Sequence, residues 1–427
     1  MVRKVVILAA LAALTSCGDS HPAGDGAVPD VAIDAGPTRP YALASAGAQL
    51  YLLQQPQPAI VLTAANLATD VDVVTIHQEF YGVPWNELEA NAALPTPWVT
   101  VMDTLAAQAA AIGPTALSLQ LVSGEGRRFL ADRTFVSGGE VVTQSGWSAD
   151  CYDFTSASDR VSKRAAYLAY VDWMVRKFRP RYVNVAIEIN MFSVCPTSAW
   201  NGLVEVERAA YDVAKAAAPS AIVYPSIALE YLYGYANCPG ALSDCYDAAY
   251  AQLAGLKRDR FAVTSLPYLV PSLRDPAAIP ADWLTRAGDR GGERTIVAET
   301  GWLATSLDVV SGTQCVTGIA SSEALQLAWF DKVMASADRI ELVTWIANRD
   351  VMPSSLVDEC PCTFDGLWCG FVASLRQKAA MNGMDPASAE YGLKVFGAMG
   401  LRRYDGTPRP GFLAHWQTAR ALPWRDR

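Results

Sequence analysis

The stretch Tyr182-Val-Asn-Val-Ala-Ile-Glu188 is an apolar run broken by one amide and closed by a carboxylate. A second run, Thr295-Ile-Val-Ala-Glu299-Thr-Gly-Trp302, has the same build. Short runs of this kind, bounded by turn residues, read as strands covered on both faces, the situation of a parallel sheet wrapped in helices. Side chains alternate along a strand, so a Glu188 aimed into a barrel shares its side with Asn184 and Ala186, while Val183, Val185 and Ile187 turn outward. Two carboxylates closing two such strands stand where α/β barrels keep their working residues, at the C-terminal strand ends.

The same unit recurs on either side. Strands are predicted at Asp72 to His77, Ala116 to Val122, Ala221 to Leu229, Phe261 to Ser265 and Ile340 to Trp345, with an eighth in the weakly patterned stretch from Tyr41 to Thr63. Between them run helix-period segments. The clearest follows Asp159, with Val161, Ala165, Leu168, Val171, Val175 and Phe178 on one face and Arg179-Pro180 as its stop. Strand and helix in alternation predict a (β/α)₈ TIM barrel over residues 41–427. Long insertions around Gly124 to Thr155 and Met352 to Pro386 are expected over the C-terminal face, pinned by cysteines.

Ahead of the barrel, Met1-Val-Arg-Lys4 precedes an apolar run from Val5 to Leu14 and then Leu14-Thr-Ser-Cys17. A basic start, a short apolar core and small residues before a cysteine predict an export signal over residues 1–17. The last four residues resemble a bacterial lipobox, which implies acylation of Cys17 and an exported lipoprotein at the outer membrane or cell surface. Residues 18–40, rich in Gly, Pro, Ala and Asp, read as a flexible linker.

Hydrophobic residues make up 51% of the chain, ample for one large core, and the net charge is −9. Such a balance disfavours nucleic acid, and contact with a membrane is expected only through a lipid anchor. With Cys17 set aside, eight of the nine cysteines remain, an even number that predicts disulfides in an exported chain. Cys238 and Cys245 are close enough to pair locally, and a link from Cys315 to the group at 360, 362 and 369 is expected. Three histidines, one of them in the linker, are too few for a metal cluster; no metal and no cofactor is expected.

Retaining cleavage of a glycosidic bond uses one protonated carboxyl and one ionised carboxyl about 5–5.5 Å apart. Strand ends facing each other over a narrow barrel can supply that pair. The segment Val185-Ala-Ile-Glu188-Ile-Asn190 resembles the acid/base strand of glycoside hydrolase clan A, the retaining (β/α)₈ enzymes, and is closest in motif to the endo-β-1,4-galactanases of family 53. Val297-Ala-Glu299-Thr-Gly-Trp302 resembles the nucleophile strand, Thr264-Ser-Leu-Pro-Tyr268 strand six and Val343-Thr-Trp345 strand eight. The resemblance covers about residues 70 to 418. It implies Glu188 as acid/base and Glu299 as nucleophile. Two positions depart from it: the family's asparagine before the acid/base is Ile187, and its tyrosine before the strand-six proline is Leu266.

Around the pair, His77, Glu79 and Trp85 follow the second strand, and Glu230 closes the fifth. Asn190 could replace the missing amide if the strand stays extended, or be a turn residue. Tyr268 stands near the nucleophile strand. Trp302 and Trp345 end strands seven and eight, either as core or as platforms for the apolar face of a sugar. The expected partner is a polysaccharide or oligosaccharide and the expected molecule a monomeric endo-β-glycanase that cleaves by double displacement. The alternative is a surface glycan-binding lipoprotein on the same barrel without turnover.

Overall fold

The computed structural model describes residues 38–46, 65–78, 82–123, 127–137, 139–144, 148–235, 238–240, 242–311, 314–351 and 394–424. The expected strands form: β1 (Ala42–Ala46), β2 (Val73–His77), β3 (Thr115–Ser118), β4 (Tyr182–Ala186), β5 (Ile222–Ala228), β6 (Phe261–Ser265), β7 (Thr295–Thr300) and β8 (Ile340–Trp345). Each pairs in parallel with the next in sequence, and β8 closes on β1. Connecting helices are α1 (Thr96–Ile112), α2 (Arg160–Phe178), α3 (Thr197–Ala217), α4 (Leu242–Gln252), α5 (Arg286–Gly291) and α6 (Glu323–Met334), with α7 (Pro410–Arg420) after β8. This is a (β/α)₈ TIM barrel.

Two apolar shells follow from strand alternation. One cluster draws on every strand: Ala42, Ala44, Val73, Ala116, Tyr182, Tyr224, Ala262, Ile296, Ala298 and Leu342 fill the barrel. Its five alanines leave room for the rings of Tyr182 and Tyr224. The alternate positions, Val183, Val185, Val263, Val297 and Val343, join the shell between strands and helices.

The seam where the barrel closes is clamped by charge. Asp72 accepts from Arg39 at 2.6 Å and from Arg420 at 3.0 Å, and Asp70 takes Arg402 in a two-pronged contact at 2.7 and 2.9 Å. Arg39 is thus buried barrel structure, which corrects the linker boundary: the packed chain begins before Tyr41. The third strand is also shorter than expected. It stops at Ser118, and Val122–Ser123 pairs instead with Phe129–Leu130 in a hairpin over the C-terminal face.

Among the described residues two disulfides fasten loops on that face. Cys238–Cys245 is the expected local pair, and Cys151–Cys195 joins the β3–β4 insertion to the segment after β4. Gly234 makes the first possible: its φ is +83°, and an added Cβ would meet Cys238 Cβ at 2.8 Å. The expected link from Cys315 to the group at 360, 362 and 369, like Cys17 and Glu79, lies outside the described residues and side chains.

One buried carboxyl makes a stability prediction. Glu207 on α3 is fully buried, with Oε2 accepting only the Lys257 N–H at 3.1 Å, and burial pushes its carboxyl from 4.5 up to about 8. Between those values the folded chain keeps a proton that the unfolded chain releases, so stability falls as pH rises through that window. Glu207→Gln removes the ionisation. Urea unfolding should find the variant close to the parent near the acid end of the window and more stable by a few kcal/mol above its upper end; a difference that does not change with pH counts against this.

Candidate active site

Glu188 lies just beyond β4, where the chain leaves extended geometry. Its backbone is left-handed (φ 51°, ψ 40°), a strained state for a residue with a Cβ, and its N–H is held by Ser226 Oγ of β5 at 3.0 Å. Ser226 is itself fixed by Asn184, whose Nδ2 donates to its Oγ and whose Oδ1 accepts its N–H, both at 3.0 Å. Turned this way, the Glu188 carboxylate reaches past β5. Oε1 accepts from Thr264 Oγ1 on β6 at 2.8 Å, and Oε2 accepts from Arg127 Nε at 3.0 Å and Nη2 at 2.9 Å.

Glu299 reaches the mouth by another device. Ile296 and Ala298 already point inward, so strict alternation would send Glu299 outward. The β6–β7 register shifts here: Val263 pairs with Val297 and Thr264 pairs with Glu299, leaving Ala298 as an extra residue. This bulge re-aims the next side chain into the mouth. There Glu299 Oε2 lies 3.1 Å from His77 Nε2 of β2, the separation at which an imidazole N–H donates to a carboxylate. Thr264 therefore stands beside one glutamate in register and donates to the other. Both carboxyls keep some access to solvent at the mouth, with Glu188 21% and Glu299 10% exposed at the side chain.

A third carboxyl is close by. Glu230, in the turn after β5, accepts from Ser265 Oγ at 2.6 Å, and that hydroxyl accepts from Trp283 Nε1 at 2.9 Å. Burial, with the Glu188 charge adding to it, pushes the Glu230 carboxyl up to about 7.

Other candidates are spent on structure. Trp302, Trp345 and Trp85 are fully buried, and their indole N–H groups donate to Ser321 Oγ, the Met399 carbonyl and the Ala131 carbonyl. None offers a face to a sugar. Tyr268 is likewise buried and donates to the Val395 carbonyl at 2.8 Å. Asn190 is a turn residue after all: its amide both donates to and accepts from the Ala228 backbone, at 3.0 and 2.8 Å. The left-handed turn at Glu188 breaks the extended parity that would have put Asn190 beside it. Ile187 faces the core with no exposure.

Arg127 and Ser226 escaped the sequence reading. Arg127 sits in a long insertion that carries no period, so no pattern marks it. Thr264 was recognisable only as part of strand six, although its place two residues after the inward Ala262 puts it on the mouth side. Among the described residues no group of His, Cys, Asp or Glu is arranged to hold a metal ion.

Barrel and mouth together define a class: a TIM barrel with paired carboxylates at the C-terminal ends of β4 and β7. No family model and no curated protein matches the chain. Solved structures do. The exo-β-1,4-mannosidase Op5Man5 from Opitutaceae bacterium strain TAV5 is similar over 91% of this chain at 14% identity and a TM-score of 0.53; the chain spans 61% of that protein's length. A GH5_18 protein from Streptomyces cattleya, solved with Manβ1-4GlcNAc, is similar over 92% of this chain and 83% of its own, at 12% identity and a TM-score of 0.53. Two fungal β-1,4-galactanases are represented by a match at 11% identity and a TM-score of 0.48. At these identities the first two establish the barrel fold alone.

Proposed function

We propose that this chain is a retaining glycoside hydrolase acting on a β-linked polysaccharide or oligosaccharide. The observation that carries the reading is the placing of two carboxyls around β6, Glu188 accepting from Thr264 Oγ1 and Glu299 standing opposite Thr264 in the β6–β7 register, brought about by a left-handed turn and a bulge. Strained backbone and bulges gather at working sites. Glu299, oriented by His77, attacks the anomeric carbon while Glu188 gives its proton to the leaving oxygen. Water, deprotonated by Glu188, then releases the sugar from Glu299. The solved structures of similar fold include a β-1,4-mannosidase and a complex with Manβ1-4GlcNAc, so β-mannan belongs in any substrate panel.

The two disulfides support an oxidising compartment, and export with anchoring through Cys17 is part of the proposal. Glycan binding without turnover remains the second reading, favoured by the apolar Ile187 and Leu266 where the resembling family has polar groups. A screen of residues 38–427 on β-mannan, β-galactan, xylan and β-glucan with reducing-end detection separates the two. Release of reducing sugar from any of them is expected, and product length distinguishes endo from exo action. Binding to a polymer with no release from any favours the second reading.

A further inference from the structure

Five non-glycine residues among those described have left-handed backbone: Asn91, Arg127, Cys151, Arg179 and Glu188. Three of them lie on one closed path. Glu188 leads through the 3-10 segment Ile189–Val194 to Cys195, which is bonded to Cys151. The Cys151 N–H donates to the Arg128 carbonyl at 2.8 Å, and the adjacent Arg127 returns to Glu188 with Nε and Nη2 on Oε2. Asn190 straps the 3-10 segment to the end of β5, so that side of the ring cannot slide. Arg127 is buried, 9% exposed, at the edge of the Val122–Ser123 and Phe129–Leu130 hairpin.

We propose that Arg127 is a positioning residue for the Glu188 carboxyl, and that the Cys151–Cys195 bond, by closing this ring, keeps the guanidinium against it. In calling Glu188 the acid/base, the inference rests on the reading above. A glutamate side chain has three rotatable bonds, and Thr264 fixes only one of its oxygens. The planar fork of Arg127 holds the other, so both oxygens are held. Strain at Arg127, Cys151 and Glu188 is what a ring of fixed circumference imposes on the residues that close it.

Removing the fork should misplace the proton donor, which hurts substrates that need protonation and spares those that do not. On a series of aryl β-glycosides, Arg127→Ala is expected to lose about 100-fold in kcat/KM with a poorly leaving phenol and less than about threefold with a dinitrophenol. Arg127→Lys keeps the charge and lacks the fork, and should stay within about threefold of the alanine variant. The double variant Cys151→Ser, Cys195→Ser should show the same leaving-group pattern at about a tenfold loss, and add nothing in the Arg127→Ala background. Equal losses for good and poor leaving groups in Arg127→Ala overturn the proposal, as does full recovery by lysine. A crystal structure of Arg127→Ala decides it without turnover: Glu188 is expected off Thr264 Oγ1, and an unmoved carboxylate overturns the proposal. If the parent cleaves no glycoside, the hydrolase reading alone fails, and the crystallographic result still stands for or against Arg127.

Discussion

Glu299→Ala is expected to be inactive on every substrate, with kcat reduced on the order of 10⁴-fold or more. The nucleophile forms the covalent intermediate in the first step and leaves it in the second, so no leaving group, however good, bypasses its loss. The fold should survive. Glu299 is a mouth residue with His77 among its contacts, and the barrel core beneath it is apolar. Circular dichroism and urea unfolding should therefore match the parent within about 1 kcal/mol. Azide fits the space left by the carboxylate and can attack the anomeric carbon from the same side, which gives a glycosyl azide of inverted configuration. Recovery of turnover with that product identifies the nucleophile. An alanine variant with parental turnover removes Glu299 from the reaction.

The barrel was legible because each strand is a short apolar run and each run is punctuated by turns. Even the weak one appeared inside the interval left for it, at Ala42–Ala46. Glu188 and Glu299 stood out as candidates for a related reason: a carboxylate ending an apolar run has no core role to explain it. What the sequence does not carry is direction. Whether Glu299 faces the mouth depends on one extra residue in β7, and a bulge is set by register against β6, not by composition. The same holds for the tryptophans. Trp345 ends β8 beside the site in sequence, yet its N–H is claimed by the Met399 carbonyl, a partner 54 residues on that no local pattern reveals. Asn190 shows how parity fails: two residues of left-handed or 3-10 backbone are enough to turn an expected site amide into a backbone strap. Arg127 was beyond reach altogether, since its position follows from a disulfide whose pairing could not be deduced from spacing.

Glu188→Ala should separate the two glutamates by kinetics. On the proposed mechanism its carboxyl protonates the leaving oxygen in the first step, so an aryl glycoside with a dinitrophenol leaving group, which needs little protonation, should still glycosylate Glu299 at a measurable rate. Polysaccharide, whose leaving group is a sugar hydroxyl, should lose on the order of 10²–10⁴-fold. The intermediate then waits for a base that is no longer there. A burst of phenol followed by a slow steady state is the expected trace, and azide should speed the second phase and give a product of retained configuration, opposite to the outcome for Glu299→Ala. The geometry adds a structural consequence. Without the Glu188 carboxylate the buried Arg127 loses its anionic contact at 2.9 Å, and leaving one partner of such a pair behind is costly. Glu188→Gln keeps one acceptor oxygen for Arg127 and turns its NH2 to Thr264 Oγ1, a hydroxyl that can accept as well as donate, while removing the transferable proton, so it should be more stable than Glu188→Ala and share its kinetic pattern. If the glutamine variant is as active as the parent on polysaccharide, Glu188 is not the acid, and Glu230, whose burial raises its carboxyl to about 7, becomes the group to replace.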